Sequence, residues 1–274
     1  MSIQEEKKFI QVREVIRQKS PGLAKWLPSP LLKYLERTIH EDDINDIMYR
    51  FRDLKGLDFV DALIEDLNVK VVIEGVENIP LTDSVIFASN HPLGGLDGIA
   101  FMQAIGQYRK DVKFIVNDFL MNVVNLEPLF VGVNKVGGQS KSAISAVDEA
   151  FATDHALLVF PAGLVSRKIG HEIVDLEWKK SFISKAKKYK KDIVPVYIEG
   201  KNSSFFYNLA RWRNKLGVKF NLEMLYLVDE FFAQRGQNVT IRIGKRIPWT
   251  QFDSSRNERQ WAAEIKQLVY DLKK

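Results

Sequence analysis

Two hydrophobic rhythms divide the chain. Up to about residue 68, apolar side chains recur every three or four positions, as in Phe9, Val12, Val15 and Ile16, then Leu31, Leu32, Leu35 and Ile39, then Phe59, Val60, Leu63, Ile64 and Leu67. That spacing lays one apolar stripe along each of several helices. Ser29-Pro30 reads as a helix start, since serine caps orphan amides and proline is tolerated in the first turn. From Val69 the pattern changes to short apolar runs bounded by turn formers. Residues 71–73, 85–88, 112–116, 129–133, 156–160 and 193–198 read as strands, with 240–243 as a late addition. Helical patterns fill 98–108, 140–152 and 178–189, and Trp261, Ile265, Leu268, Val269 and Leu272 make a helix of the final residues 256–274. Such alternation predicts an α/β fold, a largely parallel (mixed) sheet flanked by helices, with an N-terminal helical extension. Two regions are expected: residues 1–68, helical and packed on the core, and residues 69–274, the α/β domain with its C-terminal helix.

Composition narrows the classes. With 274 residues, 46% of them hydrophobic, the chain can bury a substantial core. It contains no cysteine, which excludes disulfides, thiolate catalysis and cysteine-held metals and fits a reducing cytoplasm. The opening residues carry no apolar h-region, so no secretory signal is expected, and no apolar run approaches the ~20 residues that cross a bilayer. Membrane contact is therefore expected to be peripheral. Forty basic against thirty-five acidic residues give a net charge of +5, an excess that favours anionic surfaces without naming one. The region 205–232 mixes Phe205, Phe206, Tyr207, Trp212, Phe220, Tyr226, Phe231 and Phe232 with Arg211, Arg213, Lys215 and Lys219, which suits a membrane interface as well as a core. The lysine-rich run from Lys179 to Lys191 reads as a solvated helix face.

Chemistry concentrates where strands end. The run Val85-Ile86-Phe87-Ala88-Ser89 stops at Asn90-His91-Pro92-Leu93-Gly94-Gly95-Leu96-Asp97-Gly98. His91 thus falls at a strand's carboxyl end, where open α/β sheets bind ligands, and Asp97 opens the following helix. A carboxylate beside one imidazole nitrogen fixes the tautomer, so that the other nitrogen accepts a proton. The plainer alternative makes Asp97 a helix cap and His91 a loop residue. Two further strand ends favour the chemical reading. Phe160-Pro161-Ala162-Gly163-Leu164-Val165-Ser166-Arg167 presents a serine and an arginine, whose fork suits a phosphate or carboxylate, and Gly132-Val133-Asn134-Lys135 presents a lysine. The acidic patch around His40, Glu41, Asp42 and Asp43 reads as a solvated helix end rather than a metal site.

In order, these segments resemble the four motifs of the PlsC-like glycerolipid and lysophospholipid acyltransferase superfamily. Asn90, His91 and Asp97 are similar to its first motif, and Gly132, Asn134 and Lys135 to its second. Phe160, Pro161, Gly163, Ser166 and Arg167 are similar to its third, and Val194-Pro195-Val196 to its fourth. Five residues rather than four separate the histidine from the aspartate. Ala162 stands where the family has a glutamate that helps bind glycerol phosphate. The long Asn-His-Pro-Leu-Gly-Gly-Leu-Asp form resembles hemolysin-like bacterial members, some of which acylate lyso-aminolipids of the ornithine or glycine type.

The resemblance implies an acyltransferase of membrane lipid biosynthesis that moves a fatty acyl group from a thioester to a lysolipid hydroxyl. The acceptor would be a lysophosphatidic acid or lysophospholipid-like molecule or a lyso-aminolipid. His91 would act as the base and Asp97 as its orienter. Asn90, Gly94, Gly95, Lys135, Phe160, Pro161, Gly163, Ser166 and Arg167 would bind substrates, the Gly94-Gly95 amides being candidates for the oxyanion and Arg167 and Lys135 for an anionic head. No metal or cofactor is implied. Acyl-CoA or acyl carrier protein (acyl-ACP) would be the donor, and the protein would sit peripherally on the inner face of the bacterial cytoplasmic membrane, without nucleic acid. A non-catalytic lipid-binding protein keeping the same fold is the alternative. Other chemistries lack their signatures: there is no Gly-x-Ser-x-Gly, His171-Glu172 is followed by Asp175 where a zinc-binding histidine belongs, and Gly138 occupies the lysine place of a phosphate loop.

Overall fold

The computed structural model describes residues 8–19, 22, 27–117, 120–133, 141–218 and 221–273. In chain order its elements begin with helices α1 (Val12–Lys19), α2 (Ser29–Thr38), α3 (Glu41–Arg50) and α4 (Gly56–Asp66). Then come β1 (Lys70–Glu74), β2 (Val85–Ser89), α5 (Leu96–Gly106), β3 (Val112–Asn117), β4 (Phe130–Val133), α6 (Lys141–Ala152) and β5 (Ala156–Val159). A hairpin, β6 (Arg167–Ile169) and β7 (Glu172–Val174), precedes α7 (Ser181–Tyr189), β8 (Asp192–Ile198), α8 (Ser204–Lys215), α9 (Leu227–Ala233), β9 (Asn238–Ile243) and α10 (Glu258–Asp271). The chain divides into two units, Met1–Asp53 with Ser204–Ala233, and Leu54–Ser203 with Gln234–Lys274.

The larger unit is the sheet unit. Its seven strands lie in the order β1-β9-β8-β2-β5-β3-β4. The five from β8 to β4 run parallel, whereas β9 is antiparallel to β8 and parallel to β1. This is the mixed, mostly parallel sheet that the apolar runs predicted. β2, β5 and β8 are buried at every position, as strands covered on both faces must be. On one face, Ile86, Leu157 and Ile193 pack with Phe151 of α6, Phe182 of α7 and Trp261 and Ile265 of α10. α5 contacts β1, β3 and β9 with α4 beside it. It is buried at every position except Gln103, and Gly106 permits the close approach, because a Cβ there would stand 2.5 Å from Leu57.

Pro195 sits inside buried β8, a place that ordinarily needs a backbone donor. The ladder explains it. Ile193 N–H donates to Ile247 O (2.9 Å) and Glu199 N–H to Thr240 O (2.9 Å), so alternate amides of β8 face the β9 side. β9 pairs only from Val196 onward, and residues between Ile243 and Ile247 leave the ladder opposite Pro195, whose carbonyl still accepts from Gly244 N–H (2.8 Å). One expectation is corrected: Lys191 is not on a wet face. It is 3% exposed, its ammonium donates to Thr153 O (2.6 Å), and burial lowers its pKa.

The smaller unit is helical among its described residues. Glu41 accepts from the amide of Val12 (2.9 Å) and from Lys8 Nζ (3.1 Å), tying α1 to α3, and Asn45 bonds both backbone groups of Ile10. Arg213 of α8 forms a forked, buried ion pair with Glu223 at 2.8 and 3.2 Å. Among the described residues, no helix of either unit is long and apolar enough to cross a membrane.

Candidate active site

The site begins where β2 stops pairing. Its last ladder partner on β8 is Val196, opposite Ser89. The next residue, Asn90, continues the ladder with its side chain: Nδ2 donates to Ile198 O (2.8 Å) and Oδ1 accepts Ile198 N–H (2.7 Å). A primary amide offers the same donor and acceptor as a peptide group. The strand is thereby terminated without orphaned edge groups, and the backbone is released to turn at His91.

His91 points its Nδ1 at Asp97 Oδ2, 2.9 Å away. Asp97 has no exposed surface and accepts three further hydrogen bonds, from the amides of Leu93 (2.8 Å), Gly94 (3.2 Å) and Gly98 (2.9 Å). Gly94 adopts φ +88°, a left-handed turn that favours glycine, where its amide faces the carboxylate. Because a carboxylate beside Nδ1 calls for a proton there, Nε2 is left as the acceptor. Nε2 has no hydrogen-bond partner among the described residues, while the side chain as a whole keeps 14% exposure. Phe160 stacks on the ring at 4.1 Å and 15° and itself contacts Phe101 and Phe114, so an apolar wall fixes the imidazole's plane.

The third-motif loop is sewn to this one. β5 pairs with β2, and beyond the paired residues Ser166 N–H donates to His91 O (2.7 Å). Gly163, at φ +65°, closes the turn with its amide on Phe160 O (2.9 Å). Pro161 and Ala162 are buried. Ser166 is 1% exposed and its hydroxyl donates to Asp175 Oδ1 (2.5 Å). Arg167 Nη1 donates to Val165 O (2.9 Å), keeping the guanidinium at the same turn. The amides proposed for an oxyanion are both engaged: Gly94 N–H goes to Asp97, and Gly95 N–H to Leu93 O (3.2 Å). Asn134 and Lys135 lie outside the described residues.

Asp175 is the residue that motif reading missed. It follows β7, is 1% exposed, and accepts from His91 N–H (3.2 Å), Ser166 Oγ (2.5 Å) and Trp178 Nε1 (2.8 Å). Burial pushes its carboxyl above the ordinary carboxylate value, against the pull of those donors. Tyr270 OH accepts the amide of Asp175 (2.7 Å) and Lys266 Nζ donates to its carbonyl (2.6 Å). Asp175 thus joins the His91 loop, the Ser166 loop and α10. Its one sequence signal was Trp178 three residues on, an indole that must find an acceptor when buried.

Such a centre can take a proton from a bound hydroxyl and return it to a leaving group. Residues 14–274 match the profile of a family described as acyltransferase. The chain is 45% identical over 265 residues to a lyso-glycine lipid O-acyltransferase of Bacteroides thetaiotaomicron, spanning 96% of this chain and 97% of that protein. A lyso-glycine lipid O-acyltransferase of Phocaeicola vulgatus is 43% identical over 265 residues, spanning 96% and 95%. Among solved structures, the 1-acyl-sn-glycerophosphate (LPA) acyltransferase PlsC of Thermotoga maritima aligns at 18% identity with a TM-score of 0.48, covering 88% of this chain and 95% of that one.

Proposed function

From a chain that belongs to the acyltransferase family, we propose the transfer of a fatty acyl group from a thioester to the free hydroxyl of a lyso-aminolipid of the glycine type. The acceptor class rests on two relatives named lyso-glycine lipid O-acyltransferases, each aligned over nearly its whole length. The base rests on one observation, the pairing of His91 Nδ1 with buried Asp97 while Nε2 has no partner among the described residues.

In this reading Nε2 of His91 removes the acceptor's hydroxyl proton as its oxygen attacks the thioester carbonyl. The C–S bond breaks, and the leaving thiolate takes the proton back from His91. General-base help of this kind is worth roughly 10²–10⁴ in rate. Asp97 stabilises the transient imidazolium and Phe160 keeps the ring in plane. The positive charge of Arg167, with that of Lys135, would attract the acceptor's carboxylate. The donor is acyl-ACP or acyl-CoA, and the enzyme works peripherally at the cytoplasmic face of the membrane.

Purified protein with acyl-CoA or acyl-ACP and a panel of lysolipids should release thiol most rapidly with a lyso-glycine lipid. His91→Ala should lower release by roughly 10²–10⁴ while lipid binding persists. Binding without turnover by the parent protein across the panel would instead favour a non-catalytic lipid carrier.

A further inference from the structure

We infer that the exposed side of α8, with the turn after it, is a docking surface for anionic lipid bilayers. The inference rests on the lysolipid reading above. Residues 200–222 contain Lys201, Arg211, Arg213, Lys215 and Lys219 and no aspartate or glutamate. The run is bordered by Glu199 and Glu223 and carries a local excess of cations in a chain whose net charge is +5. Arg213 is spent on Glu223, whereas Lys201, Arg211 and Lys215 are exposed.

An apolar stripe runs along the same helix as Arg211 and Lys215. Phe205, Trp212 and Leu216, spaced seven and then four, share one helix face and are 54%, 60% and 72% exposed, while Phe206, Tyr207 and Ala210 on the opposite side are buried. Single exposed apolar residues are ordinary, but a row of three on one helix is not. The row continues through Tyr226, whose ring meets Phe205 at 4.9 Å and whose hydroxyl pairs with exposed Tyr34 at 2.6 Å. On α8, Arg211 and Lys215 border the stripe, and the Lys215 ammonium stands 5.8 Å from the centre of the Trp212 ring.

Aromatic and leucine side chains beside a cationic edge are the composition of a helix lying in the headgroup region, sunk about 5–10 Å. An acidic protein partner would satisfy the cations through charge alone. The stripe favours lipid, because it needs an apolar phase and the acceptor already resides in one.

Sedimentation of the full-length protein with vesicles tests this, using phosphatidylcholine alone or with one part in three phosphatidylglycerol. The parent should pellet with anionic vesicles and largely fail with neutral ones. Arg211→Glu with Lys215→Glu should weaken binding by more than about ten-fold, since each cation near such a surface is worth about five-fold. Trp212→Ala with Leu216→Ala should weaken it by at least about ten-fold, even at high salt. All four residues are exposed, and unchanged circular dichroism would verify folding. Acyl transfer to a short-chain, water-soluble lysolipid should be equal in all forms, whereas transfer to the vesicle-borne acceptor should fall with binding. Variants that pellet like the parent would overturn the assignment, as would binding of an acidic carrier protein by these residues with vesicles ignored. Vesicle binding by a parent that cleaves no thioester would refute only the proposed function.

Discussion

His91 and His40 are the same chemical object in two settings. Each pairs through Nδ1 with an aspartate, at 2.9 Å to Asp97 and 2.8 Å to Asp43, and each stacks on a phenylalanine, Phe160 or Phe232. They differ at the second nitrogen. Nε2 of His40 is taken by Asp229 at 2.9 Å, whereas Nε2 of His91 has no partner among the described residues. They differ also in their acids: Asp97 has no exposed side-chain surface, while Asp43 and Asp229 are 50% and 58% exposed. A histidine beside a carboxylate is therefore not yet a base. In the proposed reaction it becomes one because the carboxylate is fixed and dry and the other nitrogen is left for the acceptor hydroxyl.

The largest expected effect lies at the open nitrogen. His91→Ala should lower thioester turnover by roughly 10²–10⁴ with little change in lysolipid binding. Asp97→Asn should lower it by about 10² or more, because the amide can hold the wrong tautomer in place. Turnover measured across pH at saturating acceptor checks both. If His40→Ala produced a comparable loss, the distinction between the two settings would fail.

Asp175→Asn probes the support behind His91. Asparagine can still accept from the His91 amide and Ser166, but its NH₂ would meet the Trp178 N–H donor, so turnover should fall about ten-fold and stability by about 1–3 kcal/mol. The pH dependence has a definite sign. The folded carboxyl holds its proton more tightly than the unfolded one, so ionising it costs stability as pH rises through the carboxylate range. The uncharged variant lacks that cost, and its deficit in urea unfolding should narrow as pH is raised from below that range to neutrality. A deficit that widened would show that ionised Asp175 is favoured by its donors.

Asn90→Leu separates strand termination from chemistry. It orphans the amide and carbonyl of Ile198, both now bonded to one side chain, and should cost about 2–4 kcal/mol. Asn90→Asp keeps the acceptor but sets a carboxylate oxygen against the Ile198 carbonyl, so it should cost at least as much, and a loss near zero would argue against the amide's imitation of a peptide group.

These particulars mark how much the sequence disclosed. Strands 85–88 and 193–198 announced themselves by apolar runs, because a strand buried on both faces must be apolar throughout. His91 and Asp97 were legible because only five residues, with Pro92, Gly94 and Gly95 among them, separate the two across one turn. The β6–β7 hairpin was not, since its three-residue strands carry Arg167, Lys168 and Glu172 and no alternation. Asp175 stayed hidden for a different reason: His91 lies 84 residues away, and Ser166, nine residues away, meets it only through the register of the β6–β7 hairpin. Lys191 was misread because charge runs are usually wet, and the buried acceptor at Thr153 has no local sequence sign.

The smallest expected effect completes the contrast between the two histidines. His40 sits at φ +52°, a left-handed backbone that alanine tolerates poorly and asparagine better. Its carboxylate partners are half-exposed, and such pairs contribute at most about 1 kcal/mol. His40→Ala should therefore lower stability by about 1–2 kcal/mol, with part of the loss arising from the backbone, and His40→Asn should recover that part. Neither should alter turnover of a water-soluble acceptor. If Asn and Ala were equally unstable, the carboxylate bonds rather than the backbone would set the cost, and Asp229→Asn should then reproduce it. If instead both variants slowed turnover while keeping their fold, His40 would have to be counted with the site, and an unpaired second nitrogen would no longer be what distinguishes the base.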